Sequence, residues 1–415
     1  MAIIKPFKAL RPGEESACNV SSVPYDVVNT EEAKQFAEGN PVSFIRVTRS
    51  EIELDSNTDP YSPLVYKKAK ENLQRLISQV PLIIDETEHF YLYRLIMDGR
   101  AQVGIAATFS VDDYDNNVIL KHEKTRKVKE DDRTNHIVTT GAQTGPVFLT
   151  YSPVKAIDKI VNETINNIKP LFDFTSADNI KHTIWILPNS YNQTIVEEIA
   201  KVKSLYIADG HHRAASASRA RKVKQESNPA HNGTEEYNYF LAVLFPADQL
   251  KILPYNRIVF DLNGKTKEDY LNEISEKFSV KLTSQPEPAE KKSFGMYMDG
   301  KWYMLKARDS ILASNALSKS VAETLDVSIL QDFLLNPVLG IDDPRTNKRI
   351  DFVGGIRGTK ELEKLVDSGK AAVAFSLHPV SVDDLMNISN GGEIMPPKST
   401  WFEPKLRDGS LVHLI

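Results

Sequence analysis

The stretch Ser204-Leu205-Tyr206-Ile207-Ala208-Asp209-Gly210-His211-His212-Arg213 decides the fold in the middle of this chain. Residues 204–208 predict a short buried strand. Residues 214–224 (AASASRARKVK) contain neither Gly nor Pro, and they predict a helix. A glycine turn that opens a helix leaves backbone N–H groups unpaired beside the positive end of the helix dipole. The junction therefore predicts an anion-binding site.

The side chains at this junction favour phosphate as the anion. Arg213 can place two donors on one phosphate group, and His211 and His212 can donate further hydrogen bonds. Gly210 allows a close backbone approach, and Asp209 could hold Mg²⁺ or a substrate hydroxyl. The alternative is an ordinary aspartate cap and turn with histidines exposed by chance. Such a cap does not require paired histidines and an arginine, so we favour phosphate chemistry.

Strand and helix patterns alternate on both sides of the junction. They predict strands at 145–151, 182–187 and 237–245, and helices at 154–168 and 193–202. This alternation predicts a mixed α/β (α+β) fold. Farther along, Asp299-Gly300 separates two apolar runs, which predicts a hairpin. We expect an N-terminal α/β segment at 1–115, a nucleotide-binding domain at 116–255 and a C-terminal α/β segment at 256–415.

Length and composition limit the classes of protein to consider. A chain of 415 residues is long for one hydrophobic core, so two or three lobes are expected. A net charge of −5 and a pI near 6.0 argue against a protein built mainly to bind nucleic acid. The N-terminus lacks the apolar stretch of a signal peptide, and no apolar run is long enough to cross a membrane, so a cytoplasmic location is expected. The single cysteine, Cys18, excludes an intrachain disulfide framework.

A second polar cluster, Lys121-His122-Glu123-Lys124-Thr125, follows the predicted strand at 118–120. Sites in α/β proteins tend to gather at strand ends. Glu123 can act as a general base there, and His122 can tune it or bind phosphate. A charged surface loop explains the same residues. The sequence leaves both interpretations open.

Two further motifs are weaker. Pro24-Tyr25-Asp26 can fix a binding loop, although turn structure explains it equally well. Pro396-Pro397-Lys398-Ser399-Thr400, a Lys-Ser-Thr triplet after two prolines, resembles a phosphate clamp, yet it lacks the glycine-rich loop of a Walker motif.

A transition-metal site is an alternative use of the two central clusters. If they converge, they supply the ligand types of Zn²⁺ or Mn²⁺, namely His122, Glu123, Asp209, His211 and His212. No His-Glu-x-x-His helix is present to supply a preformed pair.

Motifs spread along the chain resemble those of the bacterial and archaeal domain of unknown function family 1015. The matching pieces are Pro24-Tyr25-Asp26-Val27, Asn40-Pro41 with Ser43-Phe44, His122-Glu123-x-Thr125, Asp132-Arg133, Ala208 to Arg213, and Met395 to Thr400 with Pro404-Lys405-Leu406.

The Asp-Gly-His-His-Arg centre is also similar to the phosphate motif of the ParB/sulfiredoxin superfamily, which implies a central domain of that type. Relatives with an Asp-Gly-x-His-Arg centre include free L-serine kinases, which use ADP or ATP and an upstream glutamate as base. The nearest match to that glutamate is Glu123. Sulfiredoxin needs a cysteine where His211 stands, and ParB proteins carry Glu-Arg centres that this chain lacks.

The residues and the resemblance together predict a nucleotide-dependent phosphotransferase that acts on a small hydroxylated metabolite, with free L-serine as the first candidate. ATP or ADP with Mg²⁺ would be the cofactor. Glu123, His122 and Asp209 are the expected catalytic residues. The expected nucleotide ligands are Gly210, His211, His212, Arg213 and Lys398, and the expected substrate ligands are Tyr25, Asp26 and Arg133. The alternatives are a non-catalytic nucleotide- or metabolite-binding regulator and a metal-dependent hydrolase.

Overall fold

A computed structural model describes residues 1–79, 82–316 and 320–415, and its chain divides into two units. Unit 1 comprises Met1–Leu250 and Pro404–Ile415, and unit 2 comprises Lys251–Glu403. The boundary expected near residue 255 lies close to Leu250, where the first part of unit 1 ends. Residue 115, expected to end a segment, lies inside unit 1, because strands before and after it pair in one sheet.

Apolar runs form the strands of unit 1. They are β1 (Ile4–Lys5), β2 (Ala9–Pro12), β3 (Leu82–Ile84), β4 (Tyr91–Met97), β5 (Arg100–Ser110), β6 (Ile119–Leu120), β7 (Ala142–Gln143), β8 (Val147–Tyr151), β9 (Phe172–Thr175), β10 (Lys181–Ile186), β11 (Leu205–Asp209), β12 (Tyr239–Pro246) and, at the end of the chain, β21 (Val412–Leu414). The helices of unit 1 are α1 (Ala17–Val20), α2 (Thr30–Ala37), α3 (Ile45–Thr48), α4 (Pro63–Gln79), α5 (Val111–Asp115), α6 (Lys127–Thr140), α7 (Lys155–Asn167), α8 (Asn192–Ala200) and α9 (His211–Glu226).

The main sheet of unit 1 has the strand order β6-β11-β8-β12-β5-β4-β10-β9, and β1 pairs with β5. The pairs β6–β11 and β8–β12 are parallel, whereas the other pairs are antiparallel. A smaller sheet has the order β3-β2-β21-β7. Helices and buried strand residues share one large apolar core. The predicted mixed α/β fold is confirmed.

Two local differences from the sequence patterns have simple causes. Helix α9 begins at His211 rather than at residue 214, because Gly210 has a φ of 92° and lets the strand turn directly into the helix. The polar stretch at 112–117 (DDYDNN) predicts a turn from its sequence. Its first part forms α5 instead, since the Ser110 hydroxyl accepts a hydrogen bond from the Asp112 N–H at 3.1 Å and caps the helix.

Unit 2 contains β13 (Ile252–Leu253), β14 (Tyr255–Val259), β15 (Phe278–Leu282), β16 (Ser293–Met298), β17 (Lys301–Ala307), β18 (Ile350–Gly354), β19 (Val373–Leu377) and β20 (Trp401–Phe402). Its helices are α10 (Lys267–Lys277), α11 (Asp309–Ala316), α12 (Asp326–Leu330), α13 (Gly358–Asp367) and α14 (Val382–Asn390). The main sheet has the order β15-β17-β16-β19-β14-β18. Asp299 and Gly300 both have positive φ between β16 and β17, so the predicted hairpin is confirmed.

Across the described residues, no helix combines the length and the apolar content that crossing a membrane requires.

Gly104→Ala is expected to lower the free energy of unfolding by about 1–3 kcal/mol, because the centre of the large sheet has no room for a methyl group. An added Cβ would lie 2.7 Å from Cγ1 of Val243 and 2.9 Å from the carbonyl oxygen of Leu244. Urea unfolding measures the change. Ala101→Ser, on the exposed end of the same strand, is the control and should shift stability by less than ~0.5 kcal/mol. Equal stability of the two variants would contradict this tight packing.

Candidate functional site

The site is built where β11 ends and α9 begins. Gly210 joins them with a φ of 92°, a conformation that residues with a Cβ rarely adopt. An added Cβ would also lie 3.0 Å from Nε of Arg213, so the glycine makes room for that guanidinium. The first N–H groups of α9 have no partner within the helix and lie at the positive end of its dipole. The predicted strand–glycine–helix junction is therefore present.

Three charged side chains meet at this junction. The carboxylate of Asp209 accepts hydrogen bonds on Oδ2 from Nη2 of Arg213 at 3.2 Å and from Nζ of Lys405 at 3.5 Å. Arg213 also donates from Nη1 to the carbonyl of Pro146. Burial alone would raise the pKa of Asp209, but Lys405 and Arg213 together hold it well below its usual value. The cluster thus carries two positive charges and one negative charge.

Lys405 has no role in the sequence prediction, although it belongs to one of the family motifs. It comes from the segment Pro404–Ile415, which returns to unit 1 after unit 2. Its side chain is 14% exposed, so its charge lies close to Asp209 but keeps some contact with solvent. The signal that could have identified it was its place in the Pro-Lys-Leu motif.

The second predicted cluster lies against the first. The rings of His122 and His211 pack edge to face with centroids 4.4 Å apart, and the backbone N–H of His122 donates to Nε2 of His211 at 3.4 Å. Farther along the loop, the N–H of Arg126 donates to Nε2 of His212 at 3.1 Å. Both histidines of α9 therefore hold the loop that follows β6.

Burial determines the charge of two of these histidines. It lowers the pKa of His122 to about 4 and lowers that of His211 well below its usual value, where the neighbouring His122 adds to the effect. Both rings are neutral at pH 7. They shape the site but add no positive charge to it.

Glu123 is the partly solvated acid of the site. Its side chain is 41% exposed, and its Oε2 lies 4.0 Å from Nδ1 of His211. The structure thus brings Glu123 and His122 next to Asp209–Arg213, as the sequence pairing of the two clusters predicts.

The predicted substrate ligands Tyr25 and Arg133 are buried. The guanidinium of Arg133 lies 4.1 Å from the ring centroid of Tyr25 and donates to Oδ2 of Asp132 at 3.0 Å. Burial raises the pKa of the Tyr25 phenol. Asp26, by contrast, is exposed. Tyr25 and Arg133 line a cavity of about 30 Å³, which has room for a water molecule but not for a metabolite.

Asp408 lies in the wall of the same cavity and was missed by the sequence analysis. It is 1% exposed, and Oδ1 has no hydrogen-bond partner within the described part of the chain. A Cβ at Gly145 would lie 2.1 Å from this oxygen, so only glycine fits beside it. Burial raises the pKa of Asp408 to about 7, although Arg213 acts in the opposite direction.

Lys398 belongs to unit 2, where its Nζ lies 5.3 Å from the ring centroid of Tyr255. Its carbonyl accepts a hydrogen bond from Nη2 of Arg257 at 3.2 Å. Its role in nucleotide binding stays a prediction.

A metal centre is not formed by the predicted ligands. In residues 1–79, 82–316 and 320–415, no three His, Cys, Asp or Glu side chains are grouped to hold a metal ion. The histidines instead bond to the loop after β6.

The family assignment follows from residues 4–328, which match the family described as "Protein of unknown function (DUF1015)". The chain belongs to this family. No curated protein matches the sequence.

Solved structures with a similar arrangement of elements are distant. A conserved hypothetical protein from Pyrococcus furiosus is 12% identical, with 73% of this chain and 93% of that chain covered and a TM-score of 0.34. A free serine kinase in complex with AMP is 12% identical, with 72% and 86% covered and a TM-score of 0.33. SbnI with a C-terminal truncation from Staphylococcus aureus is 11% identical, with 73% and 85% covered and a TM-score of 0.37. Likeness at this level assigns no function.

Asp408→Asn is expected to change how stability depends on pH. Because burial raises the pKa of Asp408 from 3.8 to about 7, the folded protein keeps a proton that the unfolded chain releases. The stability that this group contributes is present below pH 4 and is lost as the pH rises toward 7. Between pH 5 and 7, the free energy of unfolding of the asparagine variant should therefore rise relative to that of the wild type by up to about 1.4 kcal/mol per pH unit.

Urea unfolding at pH 5, 6 and 7 measures this difference. Asp55→Asn, at an exposed aspartate of unit 1, is the matched control and should show no such trend. A constant difference between Asp408→Asn and the wild type across this range would contradict the raised pKa.

Proposed function

We propose that this protein binds the terminal phosphates of ADP or ATP at the N-terminus of α9 and transfers a phosphoryl group to a small hydroxylated metabolite. Free L-serine is the first acceptor to test. The observation that carries the proposal is the placement of a partly exposed carboxylate, Glu123, beside the glycine-opened helix and its net positive cluster Asp209–Arg213–Lys405.

The anion-binding half of the proposal rests on two effects that add. The first N–H groups of α9, which have no partner within the helix, attract negative charge, and the helix has a length of 16 residues. Lys405 and Arg213 exceed Asp209 by one positive charge, and Arg213 offers the planar donors that suit phosphate. A phosphate placed here would be held by charge-assisted hydrogen bonds and by the backbone.

The catalytic half rests on Glu123. In the proposed step, the acceptor hydroxyl oxygen forms a bond to the terminal phosphorus while the bond from that phosphorus to the rest of the nucleotide breaks. Glu123 takes the hydroxyl proton, and the released ADP or AMP carries the electron pair of the broken bond. Lys405 and Arg213 stabilise the charge on the transferring group. Neutral His211 holds the loop that carries Glu123.

Asp209 fits an anion site better than a direct magnesium site. Its Oδ2 is shared by Arg213 and Lys405, and a divalent cation placed on this carboxylate would meet both positive charges. Mg²⁺ would accompany the nucleotide.

Glu123→Gln is expected to separate transfer from binding. The amide keeps the shape of the side chain but cannot take a proton, so turnover should fall about 10²- to 10⁴-fold while the affinity for ADP stays within about threefold. The assay incubates the full chain with Mg²⁺, ATP or ADP and a panel of hydroxylated metabolites including L-serine, and it detects phosphorylated product by mass spectrometry.

The matched control is Glu71→Gln, at an exposed glutamate on α4. Absence of any phosphorylated product with the wild-type protein, together with measurable nucleotide binding, would overturn the transfer half and leave a nucleotide-binding regulator.

Lys405→Met should weaken nucleotide binding about tenfold, because it removes the charge that makes the cluster net positive. Isothermal titration with ADP measures the affinity at two salt concentrations, and the wild type should lose more affinity than the variant when salt is raised. Lys169→Met removes a lysine that is 78% exposed and pairs with Glu14, and it serves as the control. Unchanged ADP affinity in Lys405→Met would contradict phosphate binding at this helix.

A further inference from the structure

Unit 2 contains a buried arginine without an acidic partner. Arg257, on β14, is 3% exposed. Nη1 donates to the carbonyl of Tyr255, and Nη2 donates to the carbonyl of Lys398 at 3.2 Å. Within the described residues, no carboxylate lies at ion-pair distance from Arg257. Both recorded partners are neutral carbonyl groups, so the positive charge is solvated only in part.

Such a charge is costly. Buried ions in proteins are normally paired, because taking a charge out of water costs several kcal/mol that neutral dipoles repay only in part. Burial accordingly lowers the pKa of Arg257 to about 10, and only the neighbouring Tyr255 acts in the opposite direction. By contrast, the buried arginines of the candidate site in unit 1, Arg213 and Arg133, each have a carboxylate oxygen within 3.2 Å.

Arg257 lies in the wall of a cavity of about 340 Å³, and all residues that line this cavity belong to unit 2. That volume is within the range of small-molecule sites. Apolar side chains form part of the wall, namely Val327, Pro344, Pro396 and Pro397. The proline pair is the one that the sequence analysis singled out before Lys398, and here it contributes a rigid apolar surface.

The acidic residues of the cavity do not neutralise Arg257. Asp343 is paired with Arg345, whose Nε–H donates a bifurcated hydrogen bond to both carboxylate oxygens and whose Nη2 donates one to Oδ2. Asp342 is exposed, and its Oδ1 accepts from the side chain of Asn347 at 3.1 Å. Among the described residues, neither carboxylate lies at ion-pair distance from Arg257, which leaves an external anion as the counter-ion to test.

We propose that this cavity in unit 2 is a binding site for a small organic anion, whose carboxylate or phosphate group pairs with Arg257 while its apolar part contacts Val327 and the prolines. The planar guanidinium offers paired donors that match either kind of oxyanion. None of the residues that line this cavity belongs to the α9 junction, and anion binding here does not depend on the proposed phosphotransfer.

The test compares the thermal unfolding of the full chain in chloride, inorganic phosphate and succinate at equal ionic strength and pH. Binding to the native state raises Tm. An anion concentration of about ten times its dissociation constant should raise Tm by about 2 °C in a chain of this size. A rise with succinate alone indicates a carboxylate ligand, and a rise with phosphate alone indicates a phosphate ligand. Both results support the site if they depend on Arg257, whereas no rise with either anion overturns it.

Arg257→Met assigns the effect to the cavity. It should abolish the part of the rise in Tm that does not depend on Lys405, and its Tm in chloride should not fall below that of the wild type, because the variant loses an uncompensated buried charge. A purely structural arginine predicts the opposite pattern, with a lower Tm in chloride and an unchanged rise. If Arg257→Met does not fold, Arg257→Lys gives a second readout, since it keeps the charge but should weaken the anion response at least threefold.

Two controls exclude other binding sites. Arg349→Met removes a partly exposed arginine of unit 2 that pairs with Asp261, and it should keep the full rise in Tm. Lys405→Met alters the proposed phosphate site of unit 1 and should also keep the response that depends on Arg257. A response that is lost in Lys405→Met but kept in Arg257→Met would overturn the cavity site without deciding the proposed function.

Discussion

The parallel pairing of β6 with β11 is the constraint on which the candidate site depends. Leu205 lies opposite Ile119, and Tyr206 lies opposite Leu120, so both strands end at the same edge of the sheet. The loop with Glu123 and the glycine turn before α9 therefore emerge side by side, although 86 residues separate Arg126 from its partner His212. A shift of one residue in this register would reverse the faces of the strand and separate the two clusters.

Charge compensation then decides what each buried arginine can do. Arg213 is held by Asp209, and the return of the chain end to unit 1 adds Lys405 to the same carboxylate. The ion pair compensates the charge of Arg213, and Lys405 places a second positive charge beside Asp209. Arg257 has only neutral hydrogen-bond partners among the described residues, which is why we propose an external anion for it. Arg213 in unit 1 is thus held in place by its ion pair, whereas Arg257 in unit 2 has no carboxylate partner among the described residues.

The sequence predicted features that depend on short stretches. The strand, the glycine and the helix around Gly210 follow from local propensity, and the Asp299-Gly300 hairpin follows from turn chemistry. The pairing of the Glu123 cluster with Asp209–Arg213 was also predicted, but other features that depend on distant segments were missed. Lys405 and Asp408 reach unit 1 only after the chain has completed unit 2, and no local pattern reports that return. Similarly, the packing of Arg133 on the Tyr25 ring could not be seen from either motif alone.

The neutral histidines narrow the chemistry of the site. Since burial lowers the pKa of His122 to about 4 and holds that of His211 well below its usual value, neither ring stores a proton at pH 7 or adds a positive charge to those of Lys405 and Arg213. A phosphate at α9 would thus depend on Lys405, Arg213 and the helix dipole. In the proposed mechanism the proton goes to Glu123, because Asp209 is engaged by two cations and its pKa is held low. Under that proposal, the neutral imidazoles leave anion binding to Lys405, Arg213 and α9, and proton transfer to Glu123.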